Sequence, residues 1–171
     1  DTLYCDSKDS KKRISTILLL NIILDSLLRW FAPILSFTTE EIFKLINKEK
    51  NESIHLKQFA RIPASWRNEK LNEKWQTIKR IREVSNISIE SKRSEKLIGS
   101  SLEAQIKIKL NKDLYEIAKS YDFAEICITS GSEISIDNNS NNEIKVETFK
   151  AEGEKCKVCW KINKEKCERH G

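Results

Sequence analysis

The sequence predicts an α+β protein: an N-terminal α-helical bundle portion, then a small antiparallel-sheet α+β module, then a C-terminal zinc knuckle. Three observations carry this. Apolar residues recur at helical spacing up to about Lys96, strict alternation sets in at Glu103, and cysteines crowd the last residues of the chain. The change of period near Gly99 sets the boundaries at 1–98, 99–150 and 151–171.

From Lys11 to Ala32, Lys11, Ser15, Asp25 and Arg29 mark a polar stripe, and Ile14, Ile17, Leu18, Leu24, Leu27, Leu28 and Phe31 fill a wide apolar face. This predicts a buried core helix of a bundle. Pro33 ends or kinks it, because its ring clashes with the preceding turn and removes a donor. Thr38 and Glu41 fit a capping box with Phe37 and Ile42 as staple, predicting a second helix over about 39–46. Ile54 to Phe59 reads as extended chain. From Glu69, the face Leu71, Trp75, Ile78 and Ile81 predicts a third helix running to about Lys96.

Gly99, Ser100 and Ser101 break that pattern, and Ala104, Ile106, Ile108 and Leu110 then alternate with polar residues, predicting a half-buried strand. A short helix is expected over 112–120. Strand-like runs follow at 124–129, 133–137 and 143–149, the last two joined by an Asn-rich turn at 138–142.

The C-terminus reads Cys156-x2-Cys159-Trp160, a gap, then Cys167-x2-His170. Each pair can bite one ion through a tight turn, and together they supply the closed tetrahedron of sulfur and imidazole ligands that structural zinc prefers. One structural Zn2+ is therefore expected on Cys156, Cys159, Cys167 and His170. The bland counterpart is three reduced cysteines and a surface histidine, which the paired spacing disfavours. A segment this short cannot bury enough apolar surface to fold unaided, so the metal would supply most of its folding free energy.

Net charge is +5, from 31 Lys plus Arg against 26 Asp plus Glu, which permits a nucleic-acid partner without requiring one. The basic residues Lys79, Arg80, Arg82, Lys92 and Arg93 either track an RNA backbone along the third helix or form a solvated face. Lys157, Trp160 and Lys161 either touch phosphates and a base or simply surround the metal core. No Gly-rich phosphate loop occurs and His55 and His170 are the only histidines, so no catalytic residues are assigned. The run Ile14 to Phe31 is interrupted by Asp25 and Arg29 and is followed by no cleavage signal, so no membrane is expected and the protein reads as cytoplasmic. With no methionine and Asp1 at its start, the chain reads as cut from something longer.

Three stretches together resemble the isoleucyl-tRNA synthetase family, class I and of bacterial type: Leu28 to Phe43, Glu95 to Ala104, and Cys156-x-x-Cys159-Trp160. The first is similar to the anticodon-binding helices shared by the isoleucyl, valyl and leucyl enzymes, and the other two narrow the group to the isoleucyl member. The family pattern usually closes on a second Cys-x-x-Cys pair, so His170 is a departure from it. The resemblance implies a parent isoleucine-tRNA ligase, which joins isoleucine to tRNA(Ile) with ATP through an aminoacyl-adenylate, and which is expected to be a monomer. It also implies that the ATP-using catalytic domain and the editing domain lie outside these residues, leaving this fragment non-catalytic and bound to the anticodon arm and to the remainder of the synthetase chain. Rival readings are a stand-alone zinc-dependent nucleic-acid-binding module, since the end also resembles the zinc finger of formamidopyrimidine-type DNA glycosylases, and a structural appendage that does not touch RNA.

Overall fold

The computed structural model describes residues 2–47, 52–137, 144–167 and 170. The chain divides into two compact units, residues 1–67 and 68–171.

In the first unit, helix α1 (Thr2–Cys5) leads to α2 (Lys11–Phe31) and α3 (Ser36–Ile46). The Ser10 hydroxyl caps α2 by accepting from the Arg13 N–H. Pro33 stands where expected, just past the end of α2, and the N–H groups of Ile34 and Leu35 close the turn on the Phe31 carbonyl. Because the chain re-enters helix at once, α3 starts at Ser36 with no side-chain cap, and Thr38 lies inside it. The expected capping box is therefore not formed. Thr39 instead bonds back to the Leu35 carbonyl at 2.9 Å. The predicted extended run at Ile54 is a 3-10 turn over Ile54–Leu56, held because Glu40 accepts from both the Ile54 N–H (3.0 Å) and the Ser53 hydroxyl (2.8 Å).

Leu28, Ala32, Phe43 and Ile54 form the small core of this unit. Only Ser26 and Leu28 of α2 are buried, and Leu18 is 59% exposed, in contrast to the fully covered helix that its wide apolar face predicts. The reason is that its neighbours among the described residues, chiefly α1, α3 and the Ile54 turn, cover one side. By length and composition alone α2 could cross a membrane. Its charged pair Asp25–Arg29 (2.9 Å) is tied to the loop by a 2.6 Å bond from Arg29 to the Gln58 carbonyl.

The second unit is built on a three-stranded sheet of β1 (Ala104–Leu110), β2 (Gly131–Ile136) and β3 (Lys145–Lys150), with α4 (Glu69–Ser94) packed across it. Asn68 caps α4 through the Leu71 N–H. The helix ends in a Schellman turn, where Lys96 takes φ 58° and the Leu97 N–H reaches the Lys92 carbonyl. The chain thus leaves the helix within two residues of its predicted end. Ile78, Ile81, Ser85 and Ile89 face the sheet, so α4 shares its core with the strands and the compact division falls well before Gly99.

Ala104, Ile106, Ile108 and Leu110 are all fully buried, as the alternation predicts. β1 is central: it pairs parallel with β2 and antiparallel with β3. The sheet is therefore mixed rather than antiparallel, and β2 and β3 flank β1 instead of forming a hairpin. A parallel pair needs a crossover connection, and here α5 (Lys112–Ala118) and α6 (Phe123–Ile126) supply it. The predicted strand at 124–129 is thus α6 and its exit. Asp122 caps the N–H groups of Ala124 and Glu125, and Phe123, Ala124 and Cys127 bury one helical side. The Asn-rich turn at 138–142 lies outside the described residues. A two-stranded ribbon, β4 (Glu154–Lys155) with β5 (Ile162–Asn163), follows the sheet.

Candidate metal centre and nucleic-acid interface

The ribbon brings its two ligand pairs together because its strands pair antiparallel, Glu154 with Asn163 and Lys155 with Ile162. Between them Trp160 adopts φ 63°, which reverses the chain, and two backbone bonds close the knuckle: Trp160 N–H to the Cys156 carbonyl (3.0 Å) and Cys156 N–H to the Lys161 carbonyl (2.9 Å). At the other end, the His170 N–H bonds to the Cys167 carbonyl at 3.1 Å, turning the second pair toward the first.

The ligand atoms of Cys156, Cys159, Cys167 and His170 lie within 4.8 Å of one another. Cys159 Sγ and Cys167 Sγ are 3.7 Å apart, and His170 Nδ1 lies 3.4 Å from Cys167 Sγ and 3.5 Å from Cys156 Sγ. An ion with bonds of about 2.3 Å to sulfur and about 2.0–2.1 Å to nitrogen would span tetrahedral edges of about 3.8 and about 3.6 Å. The three separations just given lie close to these edges, and the cluster can hold one metal ion with four protein ligands. The backbone N–H groups of Cys159 and Val158 hold the Cys156 thiol down to about 6, which favours the thiolate that a metal requires. Burial pushes the Cys159 thiol up.

Around the knuckle, Trp160 is 60% exposed and the Lys155 ammonium sits 5.9 Å from its ring centroid. Lys157 is exposed and Lys161 half-buried. These three predicted contacts, Lys157, Trp160 and Lys161, share one turn of chain. Those on α4 do not form one stripe. Lys92 lies in line with the buried Ile81, Ser85 and Ile89, whereas Arg80 projects from the opposite side. Lys92 pairs with Glu95 (2.8 Å), Arg93 with Glu90 (2.7 Å), and Arg82 donates to the Ile126 carbonyl (3.0 Å) that ends α6. Lys79 and Arg80 are exposed.

Two residues that composition and spacing did not single out shape the ribbon that carries the site without belonging to it. Gly153 enters the ribbon at φ 128°, and the Ser130 hydroxyl accepts from the Ile162 N–H of β5 at 2.7 Å. A glycine just before the first cysteine was the available signal for one, and the other had none.

Residues 1–108 match the family "Anticodon-binding domain of tRNA ligase", and the chain belongs to that family. The chain is also homologous to bacterial isoleucine-tRNA ligases. It is 62% identical over 170 residues to that of Pelagibacter ubique, covering 99% of this chain and 18% of the relative. It is 43% identical over 171 residues to that of Agrobacterium fabrum, covering 95% of this chain and 18% of the relative. With the ligase of Bartonella quintana the identity is 37% over 174 residues, covering 96% of this chain and 18% of the relative. The chain thus spans less than a fifth of the length of the curated relatives it matches.

Proposed function

We propose that this chain is the part of an isoleucine-tRNA ligase that holds the anticodon arm of tRNA(Ile), with one structural Zn2+ in the Cys156, Cys159, Cys167 and His170 cluster. The observation that carries it is identity along nearly the entire chain to ligases of that name, joined to a match with an anticodon-binding family. Unstacked anticodon bases can be read by side chains in a way that duplex RNA cannot. In this reading the exposed Trp160 offers a face for one base, and Lys157 and Lys161 meet neighbouring phosphates. Lys79 and Arg80 are the positions on α4 best disposed to add to this, and Arg82, Lys92 and Arg93 bring charge already engaged by protein partners.

Zinc is favoured over other ions by the three thiolates with one imidazole at tetrahedral separations. When bound, it would cross-link the two turns of the ribbon. The joining of isoleucine to tRNA, with ATP and through an adenylate, belongs to the rest of a cytoplasmic parent ligase in this reading, and this chain supplies binding energy and orientation. The test is a binding titration of the chain against tRNA(Ile) and against the same tRNA with an altered anticodon, at low and moderate salt. Preference for the native anticodon is the expected result. Equal affinity for both, or no affinity at low salt, would overturn the reading.

A further inference from the structure

Among the described residues, Ser130 joins the ribbon to the sheet through a side-chain hydrogen bond. Its backbone N–H bonds to the Ala104 carbonyl at 2.9 Å, which places it at the start of β2. Its hydroxyl donates to the Leu102 carbonyl and accepts from the Ile162 N–H at 2.7 Å. A serine hydroxyl has one proton, and the Leu102 carbonyl takes it, so a lone pair is left facing β5. On the other side, the Ala151 N–H bonds to the Glu103 carbonyl at 2.7 Å. The ribbon is thus moored at two places to the chain just before β1. Between the moorings an open cleft of about 290 Å³ is lined by Gln105, Gly131, Glu152 and Asn163.

We propose that Ser130 is a positioning residue that fixes the orientation of the metal ribbon on the sheet. Ile162 follows Trp160 by two residues, so the bond that holds its N–H also sets where Trp160 and Lys161 project. The RNA consequence rests on the proposed function, whereas the mooring does not. Ser130 is not one of the four ligands, so its removal leaves the knuckle closed and lets the ribbon move about the chain link that follows Ala151.

The test compares Ser130→Ala with the isosteric pair Ser130→Thr, which keeps a hydroxyl, and Ser130→Val, which keeps the shape without it. Metal content, hydrogen exchange at the Ile162 amide, 15N relaxation of ribbon amides and tRNA affinity are measured on the full chain. Ala and Val are expected to keep the wild-type metal content, to speed Ile162 exchange and to let ribbon amides tumble apart from the sheet, with Thr restoring wild-type behaviour. Affinity for tRNA should fall roughly three- to tenfold in Ala and Val, the worth of one neutral hydrogen bond. Unchanged Ile162 protection in Ala and Val, or equal loss in Thr and Val, would overturn the proposal. A wild-type chain that binds no tRNA would instead count against the proposed function, with exchange and relaxation still deciding the role of Ser130.

Discussion

A Cβ on Gly153 would lie 2.1 Å from the backbone oxygen of Asn163, so only glycine lets β4 approach β5 as it does. With φ at 128°, this residue is also in a region that side chains avoid. Gly153→Ala must therefore push the two ribbon strands apart. The expected outcome is a metal affinity weakened roughly tenfold to a hundredfold in chelator competition, from about 1–3 kcal/mol of strain. The sheet should melt as before, because its core residues lie elsewhere.

Removing a ligand acts on the same ribbon by a different route. Cys156→Ser and His170→Ala should each lower zinc content below the wild-type value when measured by elemental mass spectrometry on untagged protein. Addition of a chelator to the wild type should broaden the amide signals of the ribbon while leaving those of β1 in place, since metal binding is folding free energy only for the segment it organises.

The core of the second unit gives a contrasting pair. Ile106→Ala removes a fully buried side chain from the central strand and should cost about 2–5 kcal/mol in urea denaturation. Lys107→Ala, on the opposite face of the same strand, should fall within about 0.5 kcal/mol of the wild type.

Across β1 and β3, Lys109 bonds to Glu147 at 2.7 Å, holding the Glu147 carboxyl below its ordinary value and the Lys109 ammonium above its own. A depressed carboxyl stabilises the fold above its ordinary value of 4.5, and that contribution is lost as pH falls through the lower folded value. Both groups are in solvent, so the effect is small and salt-sensitive. Glu147→Gln should lower the melting temperature slightly at pH 7 in low salt, and the difference should vanish in strong acid and in molar salt.

The basic residues should separate by what they already touch. Trp160→Ala should weaken tRNA binding about fivefold to a hundredfold, the worth of about 1–3 kcal/mol of stacking, with Trp160→Phe retaining part of it. Lys157→Ala should reduce the salt slope of binding by about one. Arg82→Ala should chiefly lower stability, because its guanidinium caps the Ile126 carbonyl.

Much of the local structure was legible. Pro33 marks the end of α2, the helical face from Glu69 marks α4, and the alternation from Ala104 to Leu110 reproduces the buried face of β1 residue by residue. The ligand pairs were legible for the same reason, since a tight turn between Cys156 and Cys159 depends on neighbours in the chain. Four local signals misled, among them the run at Ile54, which Glu40 and Ser53 fold into a 3-10 turn. The box at Thr38 and Glu41 was overridden because helix resumes directly after the Pro33 turn. The apolar run at 124–129 was too short to tell a strand from one turn of helix, and Asp122 decided for helix. The apolar face of α2 indicated how much surface seeks cover, but not how much of it this chain covers.

The sequence by itself determined where α2, α4 and β1 lie, which face of β1 is buried and which four residues can share an ion, because each depends on spacing along the chain. Tertiary structure alone decided that β1 is central, with β2 parallel on one edge and β3 antiparallel on the other. It also joined α4 to that sheet and the ribbon to Ser130. These depend on hydrogen bonds and buried contacts between residues far apart in sequence, and no local period encodes which distant partner will satisfy them.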